Sequence, residues 1–500
     1  MIKLISNFEI LVFLILILSL QILNAQHRGD NLAFQGIGYV NDYGVKSLAM
    51  GNAYNSISGD INSLFWNRAG LADLKSFQFS LSARSFSRSW KENQVYRPNR
   101  FFVTLPFYLE GLYTPDPANN GVWDYELAGD SSYIVNYPAM GLDPYSDEAA
   151  DWKKKESDFA LNNLAAAFPF NISGQQFVVA ASYHRIDQVL DYDRNDTYLD
   201  PHLGYSEYNM PARVDGTDTI AVNWSRFERV RSGKMSEVVI GAAYDLSEKI
   251  KIGLGMNITS GETEDLQVLD RVGYFELYQE NRFRFSYDTV ATRISGISKF
   301  NASRFNLGAI YKLNKFSLGA TIYLPYTYTR DWNYDTEIMD STGSSVSVQS
   351  GKDKFKMSAA FALGTSFTPI KQFIFSLDYE FIPYSNARFE LASNDTTHRD
   401  WADVQILRFG IEFMPYEIIS FLAGYQNIPQ TFVPDGAAFR DKGPNSQSFT
   451  MGASLSLRKL GRIDLAYEIR RLKYYDSYYS NTNYVEEKFN RFMLGYVFSL

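Results

Sequence analysis

The chain has 500 residues, with 48 Lys and Arg against 56 Asp and Glu for a net charge of −8, and no cysteine. An acidic balance without a polybasic tract excludes the electrostatic footprint of a nucleic-acid partner, and the lack of thiols excludes disulfides, thiolate metal sites and cysteine nucleophiles. Aromatic residues reach 16%, with 35 Tyr and 37 Phe, an excess that suits rings placed at a lipid–water boundary.

In chain order, the first element is residues 1–25. Lys3, the apolar run of residues 10–20 and Leu23-Asn24-Ala25 ahead of Gln26 predict a secretory signal peptide cleaved after Ala25. The rival, a retained anchor helix, needs about 20 apolar residues to cross a bilayer. Residues 26–75 are rich in Gly, Asn and Ala, too irregular and too small for a lipid-facing wall. A segment so placed can fill a barrel that follows it, so residues 26–75 are expected to form a hatch and residues 76–500 a barrel.

From residue 77 onward, apolar and polar residues alternate in short segments. Successive strand side chains point to opposite faces, so Phe449, Met451, Ala453, Leu455 and Leu457 share one face and Thr450, Gly452, Ser454, Ser456 and Arg458 the other. Next, Ile463, Leu465, Tyr467 and Ile469 oppose Arg462, Asp464, Glu468 and Arg470. The same holds for Phe305, Leu307, Ala309, Tyr311 and Leu313, and for Phe373, Phe375, Leu377, Tyr379 and Phe381. One such strand suits a soluble sheet equally well. Repetition through the chain points instead to an all-β fold, a transmembrane antiparallel β-barrel closed so that no unpaired backbone edge meets lipid. A lipid-facing Arg or Lys costs about 2–4 kcal/mol at the midplane, so the charges are assigned to a polar interior.

The predicted strands are residues 77–88, 157–168, 176–191, 234–244, 250–263, 304–313, 316–329, 355–368, 373–387, 404–414, 418–428, 448–458, 462–474 and 488–500. That is about fourteen, an even number that returns both ends of the barrel to one side. Short joints at residues 171–175, 245–249, 312–315, 369–372, 415–418 and 459–461 read as periplasmic turns. Residues 191–233, 264–302, 330–354, 388–402, 429–447 and 476–487 read as extracellular loops. The long connection of residues 89–156 contains FFVTLPFYLEGLY, residues 101–113, which is expected to fold over the barrel mouth. Were it a strand, a further one near residues 282–290 would bring the count to sixteen.

Within the hatch stands GVKSLAMGNAYNSISGDINSLFWNRAGLA, residues 44–72. It resembles the FadL/TodX family of outer-membrane hydrophobic-compound transporters, which share an MGGA-type turn, an acidic-small stretch and N-P-A-G-L. The matching positions are Met50-Gly51-Asn52-Ala53, Gly59-Asp60, Ser63-Leu64, Trp66 and Asn67-Arg68-Ala69-Gly70-Leu71, with Arg68 in place of the proline. The resemblance implies fourteen strands plugged by the hatch, set in the outer membrane of a Gram-negative cell with its lipid as partner. It implies passive uptake of hydrophobic small molecules, long-chain fatty acids or aromatic hydrocarbons, taken up at extracellular loops and released past a movable hatch. FadL-like barrels that serve as adaptors of a type IX-like secretion system carry the same signature, so a docking role with a secretion-machinery partner stays open. A general solute porin, the third reading, needs a continuous watery lumen.

For capture of a greasy ligand the candidates are Phe101, Phe102, Val103, Leu105, Phe107, Leu109, Leu112 and Tyr113, because apolar pockets bind by area removed from water. For hatch movement they are Gly44, Met50, Gly51, Gly59, Asp60, Trp66, Asn67, Arg68 and Gly70, with the glycines as pivots and Arg68 as a lumen salt-bridge partner. Asp191, Asp193 and Asn195 alternate as in a calcium loop, but Asp196 replaces the turn glycine and His202 the bidentate glutamate, so the stretch reads as a solvated loop. The four histidines, His27, His184, His202 and His398, are scattered. No metal, cofactor or catalytic site is expected, and Arg408, Glu412, Asp464, Glu468 and Arg470 read as structural charges of the interior.

Overall fold

The structure, a computed structural model, describes residue 34 and residues 43–96, 142–195, 221–278, 282–392, 401–432, 443–457, 460–478 and 481–500. Its strands are β1 (Gln78–Tyr96), β2 (Trp152–Ile172), β3 (Gln175–Asn195), β4 (Ala221–Asp245), β5 (Ile250–Tyr278), β6 (Arg282–Leu313), β7 (Phe316–Tyr323), β8 (Tyr326–Asp340), β9 (Gly343–Met357), β10 (Ala360–Phe367), β11 (Phe373–Ile382), β12 (Arg388–Glu390), β13 (Val404–Tyr416), β14 (Ile419–Pro429), β15 (Asn445–Ser456), β16 (Arg462–Tyr478) and β17 (Asn481–Ser499). All belong to one antiparallel sheet, and β1 pairs with both β2 and β17, which closes it. Three passages of the wall are each built from two strands end to end, β7 with β8, β9 with β10 and β11 with β12, so the barrel has fourteen walls. No helix among the described residues is long and apolar enough to cross a membrane; the crossing is made by strands.

The faces fall as the alternation requires. Phe449, Met451, Phe305, Leu307 and Leu465 are exposed on the outside, whereas Asp464, Glu468, Arg408, Glu412 and Arg491 are buried inside. The interior is more densely paired than a water-filled bore. Arg491 meets Glu468 at 2.6 Å, Arg231 meets Asp265 at 2.8 Å, Arg330 meets Asp353 at 2.8 Å, and Arg408 meets Glu380.

Several loop expectations need correction, among them residues 191–233, of which 191–195 belong to β3 and 221–233 to β4. Residues 264–302 are not a loop: β5 and β6 continue as a paired hairpin out to Tyr278↔Arg282. Residues 330–354 are likewise a hairpin, with β8 and β9 paired to Asp340↔Gly343, and most of residues 476–487 are strand. The cause is solvent. Above the lipid both faces of a strand meet water, so alternation disappears while backbone pairing persists; the first eight residues of β9 are exposed without exception. Residues 282–290 are a strand, but as the upper part of β6, so they add no wall and the count stays at fourteen.

Residues 43–75 occupy the inside of the barrel. A short helix, Val45–Ala49, a turn of helix, Ser63–Trp66, and a 3-10 helix, Arg68–Asp73, bury Leu48, Met50, Leu64 and Leu71 against Ala165, Ala180, Val239, Leu422 and Met493 of the wall. Asn67 starts the 3-10 helix, its side chain accepting from the Ala69 N–H at 3.1 Å, which satisfies an otherwise orphaned donor. The wall makes room with glycine. A Cβ at Gly424 would stand 2.0 Å from the Gly51 nitrogen, and one at Gly253 2.3 Å from the Ala69 nitrogen.

Candidate functional site

The inner segment is fastened all around its rim. Lys46 pairs with Glu412 at 2.9 Å, Asp60 with Arg462 at 2.7 Å, and Asp73 with Lys251 at 3.2 Å and with Lys312. The Asn55 N–H donates to Asp378 at 2.7 Å, and the Gly51 N–H to Thr450 at 3.0 Å. Burial works against ionisation of Asp60, but Arg462, Lys46 and the hydrogen bonds from Asn62 outweigh it and hold the pKa down at about 2. Its fastening is therefore charged and intact at any pH an envelope meets.

The hatch residues fall into two groups. Gly51 and Gly59 have φ of +61° and +81°, conformations that favour glycine, while Gly44 and Gly70 are places of close approach, to the Asn62 side chain and to the Ile57 carbonyl. Met50, Asn67 and Asp60 are buried in the segment itself. Arg68 departs from expectation: it is fully buried and donates to the Asn257 carbonyl oxygen at 2.6 Å, an amide and not a carboxylate. Burial lowers its pKa to about 10, so it remains a cation.

Trp66 faces outward from the segment, and with Tyr43 and Phe65 it floors a cavity of about 100 Å³. The sides come from Ile186, Glu237, Thr259, Arg304, Tyr323, Tyr326, Tyr328, Met357, Glu380 and Tyr384, so hydroxyls, aromatic faces and charges share one small space. Above it Phe34 packs among Phe300, Phe355 and Phe389 with ring centroids 6.4, 5.4 and 6.1 Å away. Arg304 is the chemical centre. Its guanidinium lies 4.7 Å from the Tyr323 ring and 5.9 Å from the Tyr326 ring, and it makes no ion pair or hydrogen bond with described residues. Of the nearby acids, Glu380 is paired with Arg408, while Glu237 accepts from the Thr259 hydroxyl at 3.1 Å and adds its negative charge to the surroundings of Arg304. A small cavity with aromatic walls and one open cation suits an apolar group that ends in a hydrogen-bond acceptor.

Beside this cavity the wall is unzipped. The β2–β3 ladder runs from Ile172↔Gln175 to Asn163↔His184 and stops, although β2 continues to Trp152 and β3 to Asn195. The cause is one residue. Asn162 is a bulge in the β1–β2 register, so Asn162 and Asn163 both point inward, and above it β2 is out of phase with β3. Tyr43 marks the seam from inside: its carbonyl accepts from Asn163 and its ring lies 4.8 Å from that of His184. Ile186, which lines the cavity, is on β3 just past the last rung.

The capture candidates Phe101, Phe102, Val103, Leu105, Phe107, Leu109, Leu112 and Tyr113 lie outside the described residues, as do His27, His202 and His398. Among the described residues no cluster of His, Asp and Glu has the geometry to hold a metal. Reading the sequence missed Arg304 and the cavity tyrosines, since a wall position gives no sign of what stands across the lumen. The seam had a visible signal, the Asn162-Asn163 pair that breaks the alternation of β2.

No family model matches the chain, and no curated protein matches it. Solved structures do. The P. putida toluene transporter TodX superposes with a TM-score of 0.55 at 13% identity, over 92% of this chain and 98% of that one. A Pseudomonas aeruginosa FadL homologue gives 0.55 at 12% identity, over 92% and 98%, and the CymD monoaromatic hydrocarbon channel 0.52 at 13%, over 92% and 97%. The fold implied by the hatch motif is thus the fold observed, shared with these barrels over nearly the whole of both chains.

Proposed function

We propose that the protein is an outer-membrane channel for passive uptake of hydrophobic small molecules that carry an acidic head group, long-chain fatty acids before neutral aromatic hydrocarbons. The observation that carries the reading is the aromatic cavity around the open Arg304 guanidinium, set directly against the unzipped β2–β3 seam. Diffusion down a gradient needs no cofactor. At about 100 Å³ the cavity is smaller than a usual ligand pocket of roughly 300–1,000 Å³, so it takes a head group or one ring while the rest of a chain extends along the seam. Exit runs beside the hatch, sideways into lipid, in place of the route past a displaced hatch expected from sequence: the rim bonds of residues 46–73 oppose wholesale displacement, whereas Tyr43 and Ile186 line the cavity where it meets the seam. The first three structures named above, a toluene transporter, a FadL homologue and a hydrocarbon channel, lend support by analogy of fold. The outer membrane is the location that suits a closed barrel preceded by an apolar N-terminal run.

The test is uptake of radiolabelled palmitate and of labelled toluene by cells with and without the gene, and by cells in which Asn162 is deleted. Loss of palmitate uptake in the null, and a drop of at least several-fold on restoring the ladder, is expected. Unchanged uptake with loss of exported surface proteins would replace the reading by the secretion-adaptor role.

A further inference from the structure

We propose that the barrel has a second side door, nearly opposite the β2–β3 seam, through which single-chain amphiphiles pass between the cavity and the outer-leaflet interface; the proposal rests on the transport reading for its cargo. Three adjacent walls are interrupted at one height. β7 gives way to β8 at Leu324-Pro325, β9 to β10 at Ser358-Ala359, and β11 to β12 across Pro383–Ala387. Proline in the middle of a sheet removes a ladder donor and is otherwise confined to edges and bulges, and here the two walls that flank β9 and β10 carry one each, Pro325 and Pro383. The ladders confirm the gap. Phe361↔Phe381 is the last rung below and Lys356↔Arg388 the first above; four residues on one side thus face six on the other, and the surplus bows out of the sheet. The bridge that remains is a hydrogen bond from the Ser358 hydroxyl to the Asn386 carbonyl at 3.3 Å.

The cavity lies immediately behind. Tyr323, Tyr326, Met357, Ser358, Ala360 and Tyr384 flank the interruptions and all line it, and Ser358 is itself partly exposed. The exterior fixes the level. Below the breaks Ile322, Phe361 and Leu363 are exposed apolar side chains, while above them Lys354 and Lys356 pair with Glu390 on an exposed surface. Lipid therefore ends at the gap. A molecule whose tail lies in the outer leaflet has its head at this level, one wall's thickness from Arg304. Counting walls, the breaks centre six passages from the seam in a barrel of fourteen, so a molecule entering here and leaving there crosses the cavity.

The chain has no native thiol, which makes a lock simple to build. Ser358 and Asn386 continue the β9–β12 register, so S358C/N386C places two cysteines across the gap. Full-length protein in lipid nanodiscs is illuminated with a diazirine-tagged palmitate, and adducts are mapped by mass spectrometry, with heat-modifiable gel mobility reporting the folded barrel. Deleting Asn162 closes the seam. Cavity adducts are expected to persist in that deletion, to fall about tenfold when S358C/N386C is added and oxidised, and to return on reduction. In the chain with Asn162 retained, the oxidised lock alone should lower adducts at Met357 and Tyr384 several-fold relative to Tyr43, which covers the case in which the deletion does not fold. If deleting Asn162 alone abolishes cavity adducts, or the oxidised lock leaves the Met357-to-Tyr43 ratio unchanged, the second door is refuted while transport by the seam stands. Absence of cavity adducts in every form, the native one included, overturns both.

Discussion

A buried cation without a counter-ion is costly wherever it stands, and the hatch holds one in Arg68. Its Nη2 donates to Asn257, but Nε and Nη1 are buried with no hydrogen-bond partner. Even a buried ion pair can often be replaced by apolar side chains of similar size with no loss or a gain of about 1–4 kcal/mol, and Arg68 has no carboxylate partner to lose. Arg68→Met is therefore expected to raise the temperature at which the barrel loses its heat-modifiable gel shift and, if movement around Tyr43 needs a loosely held hatch, to slow palmitate uptake. A lower transition temperature would mean that Arg68 is satisfied by water. Arg304 is the contrasting case, a cation placed at an open cavity. A hydrogen bond to a charged group contributes about 1.5–3 kcal/mol, so Arg304→Ala should weaken binding of a fatty-acid anion by roughly 10- to 100-fold while leaving a neutral hydrocarbon of the same shape nearly unaffected, as read by titration calorimetry. Equal losses for both ligands would assign Arg304 to packing.

At the scale of elements, the contact of hatch and wall is backbone against backbone. Gly51 needs its positive φ and Gly424 its bare Cα, because a side chain there would meet the Gly51 nitrogen. Gly424→Val should force the hatch off the β14 wall, at a cost of about 1–3 kcal/mol or more for overpacking, and raise ion conductance in planar bilayers; an unchanged conductance would show that the hatch adjusts without parting from the wall. The local structure of residues 43–75 was legible because its motif is local: Asn67 caps the 3-10 helix it precedes, and Gly51 and Gly59, read from sequence as pivots, take positive φ. Strand faces were legible where one side meets lipid and the other the lumen. They became illegible in two circumstances, each with a physical reason. In the outer half of β9 both faces meet water, so no alternation survives. At Pro325 and Pro383 the apolar pattern runs straight through, since a break in the ladder changes hydrogen bonding and leaves hydrophobicity untouched. The cavity was illegible for a third reason: Ile186, Arg304 and Tyr384 sit on different walls and come together only on closure.

At the scale of the whole molecule, the outer surface is set by lipid. Tyr467→Arg puts a cation on the lipid-facing side of β16 and should cost about 2–4 kcal/mol near the midplane, seen as a lower folded yield in urea titrations into vesicles; a yield equal to that of Tyr467→Leu would contradict the face assignment. Glu468, next in sequence, is not a neutral control. It is buried, accepts from Ser448 at 2.6 Å and pairs with Arg491, so reversing its charge would strand two arginines together.

The walls also differ greatly in length. β5 and β6 have 29 and 32 residues, against 11 to 13 in β13, β14 and β15. A tilted strand needs only about 9–11 residues to cross, so the short walls end near the membrane surface while the long pair rises as a parapet over one flank. An antibody or a phage that recognises this barrel from outside has in the β5–β6 hairpin a handhold far from the inner segment of residues 43–75.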